Sequence, residues 1–308
     1  MIICCSASTK YIYHLCCLIQ SINANSPWCD VVARLINCSD TDIDRIRDLF
    51  PRVTVMVERY DCSTKRDKLL KNGSVLQDTM FDTYSKTRSK FQGARWLYSE
   101  FNARCINDRY NVIADLLRQG HDHVMSIDAD MIVRRDLTDM VADGINADIS
   151  LHAEIVKDGM PVDFGNIIGI TDIPVMTRSD YLLKESTHPP IDYIEWHTGV
   201  VVFNNNTTTM KFVEDYAETL NSYDNIYTWG AEEEEIYFMF IEKYHDSLKI
   251  FNLPVKYKDE GYGMARIVGS NEYSDESYIW VGAGQNKYNA ETLYVKELSK
   301  YECSDIVC

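Results

Sequence analysis

Two aspartates, Asp128 and Asp130, stand one residue apart directly after the apolar run at residues 124–127. Such a run is typical of a central strand that is buried on both faces of a sheet. Two carboxylates at its end are destabilised by desolvation and by mutual repulsion unless a cation is present. Hard divalent cations take oxygen ligands and can bridge carboxylates to a diphosphate. The pair therefore predicts a Mn²⁺ or Mg²⁺ site that binds a phosphorylated ligand.

The same D-x-D spacing also occurs among Asp40, Asp42 and Asp44. That segment is polar and follows Ser39, so it is typical of the start of a helix, where a serine caps the first turn and acidic residues favour the macrodipole. Only the aspartates at 128 and 130 have flanking hydrophobic runs. They are the pair that we interpret as a ligand site.

A diphosphate also needs positive charge. The basic cluster nearest in the chain to the D-x-D strand contains Lys86, Arg88, Lys90, Arg95 and Arg104. Arginine suits bidentate phosphate contacts and lysine a point contact, although an exposed helix face is the ordinary explanation for any one of these residues.

Lys287 is the stronger candidate for a phosphate contact. It follows a glycine-rich turn that begins at Gly282, and such a turn would let backbone N–H groups approach a phosphate.

The opening of the chain has the pattern of a βαβ unit. It predicts a strand at residues 2–5, a turn at 6–9, a helix at 11–23 and a second strand at 31–36. Further along, it predicts a strand at 53–57, a helix at about 96–119 that ends at Gly120, and the strand at 124–127. Open α/β sheets bind ligands at the carboxyl ends of their strands, which is where the two aspartates stand.

The composition excludes several classes of protein. With 45% hydrophobic residues, the 308-residue chain can bury a large core, and the absence of repeats and linkers predicts one domain. A net charge of −16 argues against nucleic-acid binding. No apolar run reaches the ~20 residues of a membrane span, and the N-terminus lacks a basic signal-peptide start. The ten cysteines form no C-x-x-C pair, so we expect reduced, mostly buried thiols and a cytoplasmic protein.

Four segments together resemble the GT-A glycosyltransferases, especially family 8. Residues 122–137 are similar to that family's D-x-D strand, which reads like LDADMIVLRDL. Residues 5–11 resemble its first strand and turn, residues 196–204 its FNAGVMVFN strand, and residues 282–287 are a weaker match to its HxxGxxKPW segment. Residues 140–195 match none of its motifs, and we expect this insert to shape acceptor choice.

The resemblance implies an α/β GT-A fold, with a mainly parallel, Rossmann-like sheet flanked by helices in a single domain over residues 1–308. Residues 1–137 would bind the nucleotide-sugar and residues 138–308 the acceptor. It implies UDP as the nucleotide, although the residues do not exclude GDP, and Mn²⁺ or Mg²⁺ bound by Asp128 and Asp130. The other donor-site residues that it implies, or that the basic pattern adds, are Ala7, Ser8, Tyr11, Arg104, Ala129, His197, Gly199, Gly282 and Lys287.

The chain departs from the family pattern at the third metal ligand. The family's last motif supplies a histidine to the metal, whereas residues 278–282 here contain none. His197 or water could take that place, although a lone histidine beside a glycine is more often a hydrogen-bonding group.

The glutamate run at residues 232–235 is the second departure. It resembles the WGGEDDD segment of inverting galactosyltransferases as much as the DQD segment of family 8. The first resemblance makes Glu232 or Glu233 a general base, and the second makes it a group that stabilises the sugar's positive charge or binds its hydroxyls. A solvated helix N-terminus is the ordinary alternative, but aromatic residues on both sides favour burial.

Two other functions remain as alternatives to a transferase. The missing histidine would suit a catalytically degenerate protein that binds a nucleotide-sugar without turnover. A sugar-nucleotide pyrophosphorylase is less favoured, because residues 6–9 lack the glycines of its N-terminal signature. Nicotinamide-dependent and P-loop enzymes are excluded, since no predicted strand is followed by their glycine motifs.

Overall fold

The computed structural model describes residues 1–60, 100–157, 160–162, 167–168, 193–222, 231–259, 273–282 and 287–302. The strands are β1 (Ile2–Ser8), β2 (Asp30–Ile36), β3 (Thr54–Glu58), β4 (His123–Asp128), β5 (Met131–Val133), β6 (Ile149–Lys157), β7 (Met160–Val162), β8 (Ile167–Ile168), β9 (Tyr193–Asn204), β10 (Ile250–Asn252), β11 (Lys258–Asp259) and β12 (Ile279–Val281). The α-helices are α1 (Ile12–Asn25), α2 (Asp40–Leu49), α3 (Glu100–Asn107), α4 (Arg109–Arg118), α5 (Thr138–Gly144), α6 (Thr207–Ser222), α7 (Ala231–Met239) and α8 (Leu293–Leu298).

The main sheet has the strand order β3-β2-β1-β4-β9-β6-β10-β8, with β7 paired to β6. Its first four strands are parallel, as the βαβ pattern predicts, and they bring the ends of β1 and β4 side by side. Beyond β4 the sheet becomes mixed, because β9 runs antiparallel to both β4 and β6. A small second sheet of β11, β12 and β5 packs beside the D-x-D segment.

The central strands bury both of their faces. On β1, Ile2 and Cys4 belong to a core cluster with α4, α6 and α7, whereas Ile3 and Cys5 belong to the cluster on the other face with α1 and α2. This two-layer covering explains why the strands read as continuous apolar runs. The α/β class expected from the sequence, with parallel strands covered by helices on both faces, is confirmed.

Two local predictions need correction. The first strand continues to Ser8 instead of ending at Cys5, and a short 3₁₀ helix, Thr9–Tyr11, precedes α1. The single helix expected at residues 96–119 is two helices, α3 and α4, which meet at Asp108. Residues 96–99 lie outside the described chain. A hydrophobic period that continues through residue 108 cannot show a break of one residue.

Other local predictions are confirmed. Gly120 follows α4 with a φ of 89°, a left-handed conformation that suits glycine at a helix end. Ser39 caps α2, since its hydroxyl accepts a hydrogen bond from the Asp42 amide at 3.1 Å. The additional D-x-D matches at residues 40–44 therefore belong to a helix start. The seven cysteines that the structure describes are all free thiols, and six of them are buried.

Among the helices of the described ranges, none has the length and apolar character that crossing a bilayer requires.

Candidate active site

A pocket of about 470 Å³ opens at the carboxyl ends of β1 and β4. This is the edge at which open α/β sheets bind ligands. Its volume falls within the range of small-molecule sites. The lining residues are Ser6, Ala7, Ser8, Lys10, Tyr11, Ile36, Cys105, Ile106, Arg109, Asp128, Ala129, Asp130 and Lys287.

Asp128 ends β4 and is paired with a buried arginine. Arg109, the first residue of α4, places Nη1 2.6 Å from Asp128 Oδ1, and its side chain is only 8% exposed. The Asp128 side chain keeps 43% exposure toward the pocket. Burial raises the pKa of Asp128 above its ordinary value, Arg109 counteracts this only in part, and Asp130 adds to the rise. The pair therefore presents a carboxylate whose charge is already balanced by protein.

Asp130 is paired with a second cation. Lys287 Nζ lies 2.5 Å from Asp130 Oδ2, and both side chains are mostly buried. Burial lowers the pKa of Lys287, but the contact with Asp130 more than offsets this, so the pKa lies above its ordinary value. The Asp130 carbonyl accepts hydrogen bonds from the Gly282 amide at 2.7 Å and the Tyr294 hydroxyl at 2.8 Å. The backbone of the D-x-D segment is thus held from two sides.

Gly199 faces Asp128 from β9. A Cβ at this position would lie 3.2 Å from Asp128 Oδ2 and 2.6 Å from the terminal carbon of Met131. Gly282 is similarly crowded, since a Cβ there would lie 2.8 Å from the Asp130 carbonyl oxygen. Both glycines allow close packing around the aspartates.

The two predicted glutamates begin α7 and lie against β9 beside Asp128. Glu233 Oε1 accepts a hydrogen bond from the Thr198 amide at 3.2 Å. Glu232 is buried, and the Tyr216 hydroxyl donates to its backbone carbonyl at 2.6 Å. Burial raises the pKa of Glu232 above its ordinary value although nearby Arg109 lowers it. Thr198, which also lies 3.4–3.5 Å from Arg109, links the glutamates to the aspartate side of the site.

A model of the nucleotide-diphospho-sugar transferase family matches residues 74–264, which is more than half of the chain. The chain belongs to the nucleotide-diphospho-sugar transferase family. A sequence search of curated proteins finds no significant match.

Solved glycosyltransferases have a similar fold. GlyE of Streptococcus pneumoniae TIGR4 is 13% identical with a TM-score of 0.52, and the match covers 99% of this chain and 60% of GlyE. Its apo form is 12% identical with a TM-score of 0.50 and the same coverage. The galactosyltransferase LgtC, solved with donor and acceptor sugar analogues, is 12% identical with a TM-score of 0.48, and the match covers 100% of this chain and 98% of LgtC. This chain therefore spans about 60% of the length of GlyE. The two GlyE matches support the GT-A fold expected from the sequence and nothing further.

Most of the residues that the sequence predicts for the donor site of this transferase lie at the pocket. Seven of them line it: Ala7, Ser8, Tyr11, Asp128, Ala129, Asp130 and Lys287. Gly199 and Gly282 pack directly behind the aspartates. Arg104 lies outside the lining, with its guanidinium 5.7 Å from the Tyr60 ring centre, although the next residue, Cys105, contributes to the wall. Residues 86–95 of the basic cluster lie outside the described chain.

His197 is not among the residues that line the pocket. It is buried on β9, where its ring stacks on His152 with 5.3 Å between ring centres. In the family 8 motif that residues 282–287 resemble, the histidine precedes the lysine by six residues, and Val281 stands at that position here.

Asp128 and Asp130 fit a divalent metal only if a bound ligand supplies further oxygen atoms. Within the described chain, no three histidine, cysteine or acidic side chains gather into a metal-binding group. Mg²⁺ is commonly held by one or two carboxylates plus phosphate oxygens and water, and two aspartates meet that requirement. Asp128 and Asp130 thus suit a divalent cation that arrives with a diphosphate.

Arg109 is the functional candidate that the sequence interpretation missed. It had a signal, because it shares a helix face with Ile113 and Leu116 at the i, i+4, i+7 spacing of buried residues. An arginine on a buried helix face requires an acidic or polar partner. The spacing alone cannot name that partner, which comes from a strand 19 residues further along.

Proposed function

We propose that the chain transfers a sugar from a nucleoside-diphosphate sugar, UDP-linked, to an acceptor hydroxyl in a reaction that depends on Mn²⁺ or Mg²⁺. One observation carries this proposal: both aspartates of the D-x-D segment and two cations, Arg109 and Lys287, line a single pocket at the sheet's carboxyl edge. Carboxylates, cations and a cavity of about 470 Å³ are together what a metal-bound nucleoside diphosphate requires.

The residues divide between the parts of the donor. Ala7 and Ser8, at the end of β1, and Tyr11, in the 3₁₀ helix that follows, line the side of the pocket that we assign to the nucleoside. Asp128 and Asp130 would hold the metal, which when bound neutralises charge that develops on the leaving diphosphate. Lys287 and Arg109 add two positive charges at the same place. Their burial strengthens any contact with phosphate, because nearby water screens it less.

Glu232 and Glu233 are proposed as the carboxylates that act on the sugar or the acceptor. Their support is position, since Glu233 binds the Thr198 amide beside Gly199, which faces Asp128. Glu232→Gln or Glu233→Gln should lower turnover about 100-fold or more, the range for loss of an acid–base group, and change donor affinity little. Unchanged turnover in both variants would remove them from the mechanism.

The proposal also assigns the two halves of the chain and a compartment. Residues 1–137 supply most of the donor pocket, but Lys287 comes from the half that we assign to the acceptor.

The cytoplasm suits the free thiols of the described cysteines, since disulfides form in secreted proteins. Fractionation of the expressing cells tests this assignment.

A catalytically degenerate nucleotide-sugar-binding protein is the second candidate. Val281 favours it, because it replaces the histidine that the family's motif gives to the metal. Such a protein would bind the donor with metal but release no nucleoside diphosphate.

A thermal-shift screen against UDP-, GDP-, CMP- and dTDP-sugars, each with Mn²⁺ or EDTA, tests the function. Ligand at a hundredfold excess over its Kd stabilises the folded state by about 2.7 kcal/mol, a readily measured shift. We expect a Mn²⁺-dependent shift with UDP-sugars, followed by release of UDP in a coupled assay. Asp130→Asn should abolish both. A shift without UDP release supports the degenerate protein, and no shift with any donor contradicts both functions.

A further inference from the structure

The break between α3 and α4 lies at the edge of the pocket. Asp108 separates the two helices, and the residues on both sides of it, Ile106 and Arg109, line the pocket wall. Hydrophobic periodicity continues through this point, so the break must be stabilised by contacts of the residues around it. The orientation of Arg109 toward Asp128 depends on where α4 begins.

Arg34 supplies the centre of those contacts. It lies on β2 with a fully buried side chain, and its Nε donates to Glu58 Oε1 at 2.7 Å while Nη2 bonds Glu58 Oε2. Its Nη1 donates to the carbonyl of Cys105 in α3 at 3.0 Å. One arginine therefore ties the ends of β2 and β3 to the last turn of α3. Because removing such a buried charge from its partners costs free energy, these contacts oppose displacement of α3 from β2 and β3.

Tyr60 links Arg34 and Glu58 to Asp108, at the break between α3 and α4. Its hydroxyl lies 2.7 Å from Asp108 Oδ2 and also contacts Glu58 and Arg34 Nη2. Its backbone is held by Asn37, whose side chain accepts from the Tyr60 amide at 2.7 Å and donates to the Tyr60 carbonyl at 3.0 Å. Tyr60 is thus held in place by Asn37, and Asp108 packs against its hydroxyl.

Arg109 itself has few strong contacts for a buried arginine. Within the described chain, its Nε is buried with no hydrogen-bond partner, and Asp128 is its one partner closer than 3.3 Å. Tyr110 and Thr198 lie 3.3–3.5 Å away. The guanidinium is therefore held by one short ion pair, by three longer hydrogen bonds and by the position of its own backbone.

We propose that Arg34, Glu58, Tyr60 and Asp108 form a positioning network that holds Arg109 against Asp128 in the donor site. None of these four residues lines the pocket. It acts through the main chain at the α3–α4 break, and it rests on the proposed function because Arg109 matters only where a donor is bound. These four residues are hereafter the Tyr60 network.

Tyr60→Phe is the sharpest test, because it removes only the hydroxyl that reaches Asp108. We expect the affinity for UDP with Mn²⁺, measured by isothermal titration calorimetry, to fall about fivefold or more, within the usual range of coupling between sites. Tyr244→Phe is the matched control. It removes a tyrosine hydroxyl that donates to Asp215 at 2.8 Å, between elements that do not line the pocket.

A double variant separates positioning from a general loss of stability. In an Arg109→Gln background the network has no guanidinium to position, so adding Tyr60→Phe should change UDP affinity by less than twofold. Thermal unfolding checks that Tyr60→Phe and Tyr244→Phe lower Tm by similar amounts. Equal UDP affinity of Tyr60→Phe and wild type, or a full additional loss in the Arg109→Gln background, would overturn the network. Absence of binding in the wild type would instead contradict the proposed function.

Discussion

Arg109 Nη1 and Asp128 Oδ1 lie 2.6 Å apart, so the first carboxylate of the D-x-D segment is already paired within the protein. Lys287 pairs with Asp130 in the same way. The four groups carry two negative and two positive charges, and their formal sum is zero. The repulsion expected from the sequence between two neighbouring aspartates is therefore offset before any metal binds.

This pairing changes the expected effect of removing one charged side chain. From the sequence alone, Asp130→Asn should leave the fold stable or more stable, because one repelling charge is lost. Burial raises the pKa of Asp128 and Arg109 lowers it, so the ionised carboxylate depends on the arginine. Arg109→Met should therefore lower the free energy of unfolding by about 1–3 kcal/mol, less than for a fully buried pair because Asp128 is partly exposed. Urea denaturation monitored by tryptophan fluorescence measures it.

Asp128→Asn supplies the control for that measurement. If the loss comes from an unpaired carboxylate, adding Asp128→Asn to Arg109→Met should restore part of the stability, because a neutral amide needs no cation. An Arg109→Met variant as stable as the wild type would show that the ion pair contributes nothing to the fold.

Gly199→Ala tests the close approach of β9 to Asp128. The added methyl group would lie 3.2 Å from Asp128 Oδ2 and 2.6 Å from the Met131 side chain, whose flexible end can move aside more readily than the carboxylate. We expect a stability loss of about 1–3 kcal/mol, typical of overpacking, and weaker UDP binding with Mn²⁺. Calorimetry of the variant measures both effects. Wild-type affinity would mean that Asp128 tolerates the displacement.

Patterns local in sequence predicted much of the fold. The parallel strands β1, β2, β3 and β4 follow from apolar runs that need burial on both faces, and Gly120 and Ser39 act as helix-end signals. The two aspartates could be located because a strand that ends in paired carboxylates is unusual without a cation. Each of these features depends on residues within about ten positions of one another.

The rest depends on contacts between distant segments. Lys287 reaches Asp130 across 157 positions, and Arg34 reaches the α3 carbonyl of Cys105 across 71. No local period shows such pairs, and a single sequence gives no covariation. The same limit applies to the break at Asp108, where no glycine or proline marks the sequence and the side chain contacts Tyr60, 48 positions away.

Glu232 should make stability depend on pH. Its pKa is raised by burial, so the folded state binds the proton more tightly than the unfolded chain does. The stabilisation is complete below the unfolded pKa, near 4.5, and is lost as the pH rises through the folded pKa. Glu232→Gln mimics the protonated form and lacks this loss. We expect the wild type to lose stability relative to the variant as the pH rises above about 4.5.

Urea unfolding of both proteins at several pH values measures that difference, and comparison with Glu232→Gln removes the contribution of Asp128, whose pKa is also raised. Parallel curves would show that the Glu232 carboxyl has the same pKa in both states. If the wild type instead gained stability relative to Glu232→Gln as the pH rises, the pKa of Glu232 would be lower in the folded state than in the unfolded state.

The charge balance of the site also predicts that metal and nucleotide bind cooperatively. Mn²⁺ alone would add two positive charges to groups whose charges already cancel, and UDP alone would bring a diphosphate beside two carboxylates. Together their charges largely cancel, so each ligand offsets the unfavourable charge that the other would bring. Calorimetric titrations with Mn²⁺, with UDP in EDTA, and with both should show about tenfold or greater mutual tightening. Because coupling is reciprocal, the factor must be the same whichever ligand is added first. If Mn²⁺ alone binds as tightly as it does with UDP, the ion pairs offer no resistance to metal, and the protein alone supplies a complete site.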